Sequence, residues 1–140
     1  MLAVIDSGST VMLLPSRIFS LFVNELAHKF KDDHSVNMIC TQATGETTEI
    51  DVCFFQNTTC EPLLSKVEPI KFFFDHSVFE LQSQSFLKDD MNGDPETNER
   101  IPACVINVRS NKDGDRTDDR RFLMGNEFLK NFYSVYDYDW

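Results

Sequence analysis

A single acidic residue separates two hydrophobic runs in the stretch AVIDSGSTVMLLP, which spans residues 3–15. Such runs favour short buried strands, here at 3–5 and 11–14, and a buried carboxylate between them is costly unless it accepts hydrogen bonds. Partners follow Asp6 directly, as a glycine turn and three hydroxyl side chains: Ser7, Gly8, Ser9 and Thr10. The stretch therefore predicts a loop that fixes one carboxylate between two strands. An Asx-type turn, in which the aspartate bonds only its own backbone, would explain the tripeptide Asp-Ser-Gly alone.

The length predicts one domain over residues 1–140, or one lobe of something larger. The chain is 41% hydrophobic and contains 13 Phe, a number that favours a sheet-rich core. Its formal net charge of −10, without a basic patch, argues against binding to nucleic acid. The acidic balance fits either a solvated surface or a protein that works in an acidic place.

Periodicity predicts one clear helix and several further strands. Apolar residues recur at helical spacing through Phe30, and Pro15-Ser16 marks the start of this helix. The remaining predicted elements are strands at 36–40 and 48–55 around a turn at 43–45, a hairpin with arms at Phe72–Phe74 and Phe79–Leu81 around Asp75–Ser77, and a strand at 101–108. Two polar stretches, 88–100 and 109–121, are predicted to be surface loops.

The four cysteines indicate disulfides rather than a metal site. They lack any Cys-x-x-Cys spacing, and three disulfide connectivities are open to them: Cys40, Cys53, Cys60 and Cys104. Asn57 begins an Asn-Thr-Thr glycosylation sequon, which is a weak signal by itself. Together these features favour an oxidising, secretory-pathway setting, with reduced cysteines in a cytosolic protein as the alternative.

Other common catalytic chemistries find no support in the sequence. The three histidines are scattered without metal-ligand spacing: His28, His34 and His76. No glycine-rich phosphate loop and no Gly-x-Ser-x-Gly motif occurs. Ser7 and Ser9 have no histidine nearby in sequence to act as their base. We therefore expect neither a metal ion nor a cofactor.

A second informative segment begins with Phe122-Leu123-Met124-Gly125. It predicts a strand at 122–124, a short helix capped by Asn126, and a strand through Tyr136. With the Asp6 stretch, it resembles the pepsin-like (family A1) aspartic proteases. In that family each lobe carries a hydrophobic-hydrophobic-Asp-Thr/Ser-Gly-Ser/Thr loop, which a later hydrophobic-hydrophobic-Gly strand crosses in a psi-shaped arrangement. The matching residues are Val4-Ile5-Asp6-Ser7-Gly8-Ser9 for the loop and Leu123-Met124-Gly125 for the strand.

The resemblance implies roles for individual residues. Asp6 becomes a catalytic aspartate, Ser7 a residue that interlocks two active-site loops, and Ser9 a hydrogen-bond partner of the aspartate. Thr10 completes the active-site loop. A peptide or protein would be the substrate, bound in an extended form between two lobes.

The tail FLMGNEFLKNFYSVYD resembles the C-terminal lobe of the family in particular. The implied fold is mainly β: one lobe of a bilobal acid protease, built on a psi-loop sheet with two short helices. The resemblance also implies a Cys60–Cys104 disulfide and, with it, Cys40–Cys53. Asn126 departs from the aspartate that the family usually has there. Strands that the family places before the motif and after the tail are not found, so we expect a C-terminal lobe truncated at both ends.

The chain contains one Asp-Ser/Thr-Gly motif, whereas the chemistry of the family needs two. Two neighbouring carboxylates share a proton and activate a water molecule between them. We therefore expect an aspartic endopeptidase lobe that supplies one of two catalytic aspartates and is inactive alone, with the N-terminal lobe of the same polypeptide as its partner. The alternatives are a retropepsin-like homodimer and a catalytically inactive binding lobe. The expected location is extracellular or an acidic compartment of the secretory or lysosome-like kind.

Overall fold

A computed structural model of the chain describes residues 2–43, 50–93, 100–111 and 120–137. The strands are β1 Leu2–Ile5, β2 Met12–Pro15, β3 Asn37–Ala43, β4 Ile50–Gln56, β5 Ile70–Phe74, β6 Ser77–Leu81, β7 Leu87–Gly93, β8 Arg100–Ile106, β9 Val108–Asn111 and β10 Arg121–Met124. The helices are α1 Ser16–Lys29, α2 Glu61–Leu64, α3 Ser83–Phe86 and α4 Asn126–Leu129. The fold is mainly β, as predicted, but its described residues form four helices rather than the two expected.

The strands form three sheets within the described residues. The first has the order β1-β10-β2-β9 and the second the order β3-β4-β8-β7, while β5 and β6 form a separate hairpin. The second sheet is antiparallel throughout. The first sheet mixes both directions, because β10 is parallel to β1 and antiparallel to β2.

One hydrophobic core joins the two large sheets. Helix α1 packs against β2 and β9 and contributes its apolar stripe, in which Phe19 and Leu26 are buried. Its last turn carries His28 and Lys29, which suit the negative end of the helix dipole. From the second sheet Phe55 enters the core, and its ring meets Phe30 edge-on, with centroids 5.2 Å apart.

The β5–β6 hairpin is anchored by phenylalanine rings. Phe72 lies edge-on to Phe122 of β10 at 6.2 Å and to Phe128 of α4 at 5.9 Å. Phe79 contacts Phe132 in the same manner at 5.4 Å. The predicted hairpin is confirmed, and the high phenylalanine content has its explanation here: the rings join the hairpin to the elements around Asp6.

Two of the predicted loops are strands over part of their length. Lys88–Gly93, predicted as a loop, belongs to β7, which pairs with β8 from Leu87↔Ile106 to Gly93↔Arg100. Its backbone pairing does not depend on apolar side chains, because β7 is an edge strand whose acidic side chains face solvent. Similarly, residues 109–111 of the second predicted loop belong to β9. The last residues of the two predicted loops, Arg100 and Arg121, begin β8 and β10. Residues 94–99 and 112–119 and most of the turn at 43–45 lie outside the described residues.

Three smaller predictions were also wrong. The strand predicted at 101–108 is broken at Asn107, whose N–H donates to the Phe86 carbonyl at 2.7 Å, so β8 and β9 join different sheets. Helix α4 starts at Asn126 and has Gly125 at its cap position, without a side-chain cap. Residues 130–136 form no strand and are largely exposed, Tyr133 to 96%.

Candidate active site

The strand β10 passes between the two strands that the Asp6 loop connects. It pairs in parallel with β1, where Ile5 lies opposite Met124, and antiparallel with β2, where Leu123 lies opposite Leu13. Since β1 and β2 are consecutive in the chain, residues 6–11 must span the end of β10. We call residues 6–11 the aspartate loop. This is the psi-shaped crossing that the resemblance implied.

Gly125 is the residue at which the crossing is tightest. A β-carbon there would lie 2.2 Å from the Val11 carbonyl oxygen and 2.6 Å from that of Ser9. Both are backbone atoms, which cannot turn aside as a flexible side chain could. Close approach of the backbone therefore requires glycine at this position. Its backbone conformation does not, because a φ of −83° is open to any residue.

Backbone hydrogen bonds then fasten the aspartate loop to the start of α4. The Asn126 N–H donates to the Ser9 carbonyl at 2.8 Å, and the Glu127 N–H donates to the Thr10 carbonyl at 3.3 Å. At the other end of the loop, the Asp6 N–H donates to the Met124 carbonyl at 3.1 Å. The loop is thus held at both ends by the segment that crosses it.

The Asp6 side chain is half-buried and held by its own loop. Its Oδ1 accepts a hydrogen bond from the Gly8 N–H at 2.9 Å, and its carbonyl accepts one from the Ser9 N–H at 3.2 Å. Gly8 does not have a positive φ, but a β-carbon there would lie 3.2 Å from Asp6 Oδ1. Its glycine character therefore gives the carboxylate room beside the backbone.

The hydroxyl groups of the loop are arranged differently from expectation. The Ser9 hydroxyl lies 3.4 Å from the Val11 carbonyl, within the loop, while the Asp6 carboxylate is bonded by Gly8. Ser7 and Thr10 are exposed beside it. The site is a carboxylate on a loop that backbone hydrogen bonds hold at both ends, with the Ser7 and Thr10 side chains exposed.

An exposed apolar strip adjoins this carboxylate. In β1, Leu2 is 59% exposed, Val4 36% and Ile5 46%, although β1 lies in the same sheet as the fully buried Met124. Side chains alternate along a strand, so Leu2 and Val4 share one face of β1 and Ile5 lies on the other. An exposed apolar strand at a sheet edge is typical of an interaction surface. Such a surface directly precedes Asp6 in the chain.

The other predicted site residues lie away from the aspartate loop. The structure contains the disulfides Cys60–Cys104 and Cys40–Cys53, which are the pairs that the resemblance implied. The first ties the start of α2 to β8, and the second joins opposed residues of β3 and β4. Asn57 is exposed in the connection after β4, with φ of 59°.

Sequence reasoning missed a polar network behind the aspartate loop. Glu127 is its centre, with Lys88 of β7 and Lys130 as ion-pair partners. No single-sequence signal marked it, because Lys88 lay in a predicted surface loop. Over the described ranges, no three His, Cys, Asp or Glu side chains are grouped so as to hold a metal ion. Nor does any helix in this part of the chain have the length and apolarity to span a membrane.

Comparison with known families agrees with this geometry. A model of the eukaryotic aspartyl protease family matches residues 1–140. The chain belongs to this family. A comparison with curated proteins found no match. Membership supports peptide-bond hydrolysis as the chemistry of this aspartyl protease, with peptides or proteins as substrates.

Proposed function

We propose that this aspartyl protease chain is the C-terminal lobe of an endopeptidase and supplies Asp6 as one of two catalytic aspartates. The observation that carries the proposal is the aspartate loop itself, which is locked by Gly125 and presents a half-buried carboxylate bonded by Gly8. The Gly8 bond is the Asx turn that the tripeptide Asp-Ser-Gly would make by itself. An Asx turn does not account for β10, which crosses the loop and meets it at Gly125. Rigid support for a reacting carboxylate is what the chemistry demands.

The mechanism needs a second carboxylate opposite Asp6. Two like charges a few ångströms apart cannot both ionise, so the pair holds one proton between them. The ionised member takes a proton from a bound water as that water attacks the peptide carbonyl. The protonated member stabilises the oxyanion, and the pair then protonates the leaving amine. Asp6 alone cannot act as acid and base together.

The partner in this proposal is the N-terminal lobe of the same polypeptide. The exposed apolar edge strand β1 beside Asp6 supports a partner surface here, since a second lobe that covers this edge would bury part of its aliphatic side chains. A second copy of this chain is the alternative partner, because it would also bring a second aspartate. A lobe retained only for binding is the non-enzymatic alternative.

We also propose that the protein works in an oxidising and acidic compartment of the secretory or lysosome-like kind, or outside the cell. Two disulfides with no free cysteine in the described residues support an oxidising setting. Exposed Asn57 within its sequon would accept a glycan there. Mass spectrometry before and after glycosidase treatment of the secreted protein would test this site.

The catalytic role is tested by Asp6→Asn in the complete two-lobed protein. We expect kcat at mildly acidic pH to fall by about a thousandfold or more, with the unfolding midpoint nearly unchanged. The matched control is Asp75→Asn, at an exposed hairpin position with φ of 51°, a conformation that asparagine adopts readily. It should keep full activity. Full activity in Asp6→Asn would disprove the catalytic role.

The choice of partner is tested on the 140-residue chain itself. Gel filtration should give a monomer that neither cleaves peptides nor binds a statine-type inhibitor. A dimer that binds the inhibitor would instead support the two-copy protease. A complete two-lobed protein that folds but neither binds the inhibitor nor cleaves peptides would support the inactive binding lobe.

A further inference from the structure

Helix α4 is bonded to the aspartate loop through its backbone. Its first two N–H groups, from Asn126 and Glu127, are those that bond the Ser9 and Thr10 carbonyls. A helix of one turn is not stable by itself, because it has too few internal hydrogen bonds to offset the cost of ordering it. Its position must therefore be fixed by contacts with the rest of the protein.

Polar side chains from α3 and β7 supply such contacts. The buried Ser85 hydroxyl donates to Asn131 Oδ1 at 2.6 Å, and Asn131 Nδ2 donates in turn to the Glu127 carbonyl at 2.7 Å. The Lys88 ammonium lies 3.6 Å from Glu127 Oε2, and the Lys130 ammonium bonds the same oxygen. We call these five residues the α4 latch.

Glu127 lies at the centre of the α4 latch, and its charged form depends on the neighbouring cations more than theirs depends on it. The Glu127 side chain is only 15% exposed, whereas those of Lys88 and Lys130 are each 42% exposed. A carboxylate so far removed from water is costly unless cations accompany it. The close Lys130 ammonium and partial burial lower the pKa of Lys88 below its ordinary value. The two cations are thus crowded around one anion.

We propose that Glu127 is a positioning residue for the reaction, which Lys88 and Lys130 hold in place so that α4 presents the aspartate loop in its working geometry. The inference rests on the proposed catalytic role of Asp6. It adds that the ion pair between Lys88 of β7 and Glu127 of α4 sets the position of the Asp6 carboxylate. Glu127 touches no reacting atom and acts through the Ser9 and Thr10 carbonyls.

The test uses amide hydrogen exchange in the 140-residue chain, which needs no activity. Lys88→Met and Glu127→Gln should each speed exchange of the Asn126 amide by about three- to fivefold through local opening. Amides of the β4–β8 ladder should change little, since they report global unfolding. Lys88→Arg keeps the charge and should keep the protection. The matched control, Lys66→Met, removes a remote ion pair with Asp33 and should leave Asn126 unaffected.

An unchanged Asn126 exchange rate in Lys88→Met, or a rise equal to that of the β4–β8 amides, would overturn the proposal. Lys88 is a partly exposed edge-strand residue, so this variant decides the matter even where Glu127→Gln does not fold. In the complete protease, Lys88→Met should lower kcat about tenfold with little change in KM. If the complete protein proves inactive, the proposed function fails while the exchange result still decides the latch.

Discussion

The strands of the two large sheets of this aspartyl protease are held in place by different interactions in each sheet. In the β3-β4-β8-β7 sheet each strand has seven residues, and both disulfides attach to it. In the β1-β10-β2-β9 sheet each strand has four residues and no cysteine. Its order comes from the crossing at Gly125 and from backbone bonds between the aspartate loop and α4.

This difference separates the source of stability from the source of precision. A disulfide restricts the unfolded chain but does not by itself aim a side chain. The crossing contributes few bonds, yet it fixes the backbone on both sides of Asp6. We infer that the disulfide-linked β3-β4-β8-β7 sheet contributes most to the stability of the fold, while the crossing at Gly125 fixes the position of Asp6. The following predictions test this inference.

The largest expected effect is loss of the Cys60–Cys104 disulfide. Its ends are 44 residues apart in sequence, against 13 for Cys40–Cys53. The chain-entropy model then gives about 4 kcal/mol for the longer loop and about 3 kcal/mol for the shorter. Urea unfolding of the Cys60→Ala/Cys104→Ala and Cys40→Ala/Cys53→Ala double variants should reproduce this order. The reverse order would show that native packing at these sites outweighs loop length.

Gly125→Ala should be next, and its effect should centre on the crossing. The added methyl would meet the Val11 and Ser9 carbonyl oxygens, so we expect a loss of about 3 kcal/mol in the free energy of unfolding. Both the aspartate loop and β10 would have to move apart. Urea unfolding measures the loss, and amide exchange at Asn126 locates it.

Gly8→Ala is the matched control for that variant. Its methyl would face only the Asp6 carboxylate, at 3.2 Å, and the backbone there has no positive φ. We expect a loss below about 1 kcal/mol. Equal losses in the two glycine variants would contradict the view that the crossing depends on Gly125 in particular.

The sequence predicted those parts of the fold whose reason is local. The strands around Asp6, the helix through Phe30 and the phenylalanine hairpin each carry their own pattern, and all three are present. The burial predicted for residues 3–5 was wrong, because β1 is a largely exposed edge strand. Strand β7 was missed because Lys88–Gly93 has no apolar alternation. It is a strand because β8 offers a partner edge, which is a tertiary cause. Conversely, residues 130–136 have strand-like composition but pair with no described strand.

The same distinction applies to the candidate site. Asp6 was marked by its residue type, an acidic side chain between apolar runs, whereas the role of Gly125 was implied by the resemblance of the two motifs to the family. The contact of Lys88 with Glu127 could not be foreseen, since a charged residue on a surface segment is ordinary. The two residues meet only in the folded chain, where Lys88 of β7 lies 3.6 Å from Glu127 of α4.

The smallest predicted effect concerns the ion pair between Lys66 and Asp33, which joins the segments that follow α2 and α1. Lys66, just after α2, contacts Asp33, just after α1, at 2.8 Å, and Ser35 also bonds that carboxylate. Hydrogen bonds from Lys66 and Ser35 lower the pKa of Asp33 to about 2. The pair should therefore remain ionised in the mildly acidic medium that we propose for this protein.

A depressed carboxylate pKa stabilises the fold above the unfolded pKa, and this contribution is lost as the pH falls through the folded value. Asp33→Asn should thus be less stable than the wild type by a constant amount above about pH 5, and the difference should shrink between about pH 4 and pH 2. Urea unfolding across this range measures the difference.

The control is Glu68→Gln. The ion pair with Lys29 lowers the pKa of Glu68 too, but the Glu68 side chain is 86% exposed against 30% for Asp33. Its difference from the wild type should be smaller. A loss in Asp33→Asn that did not vary with pH would assign the role of Asp33 to neutral hydrogen bonding rather than to charge.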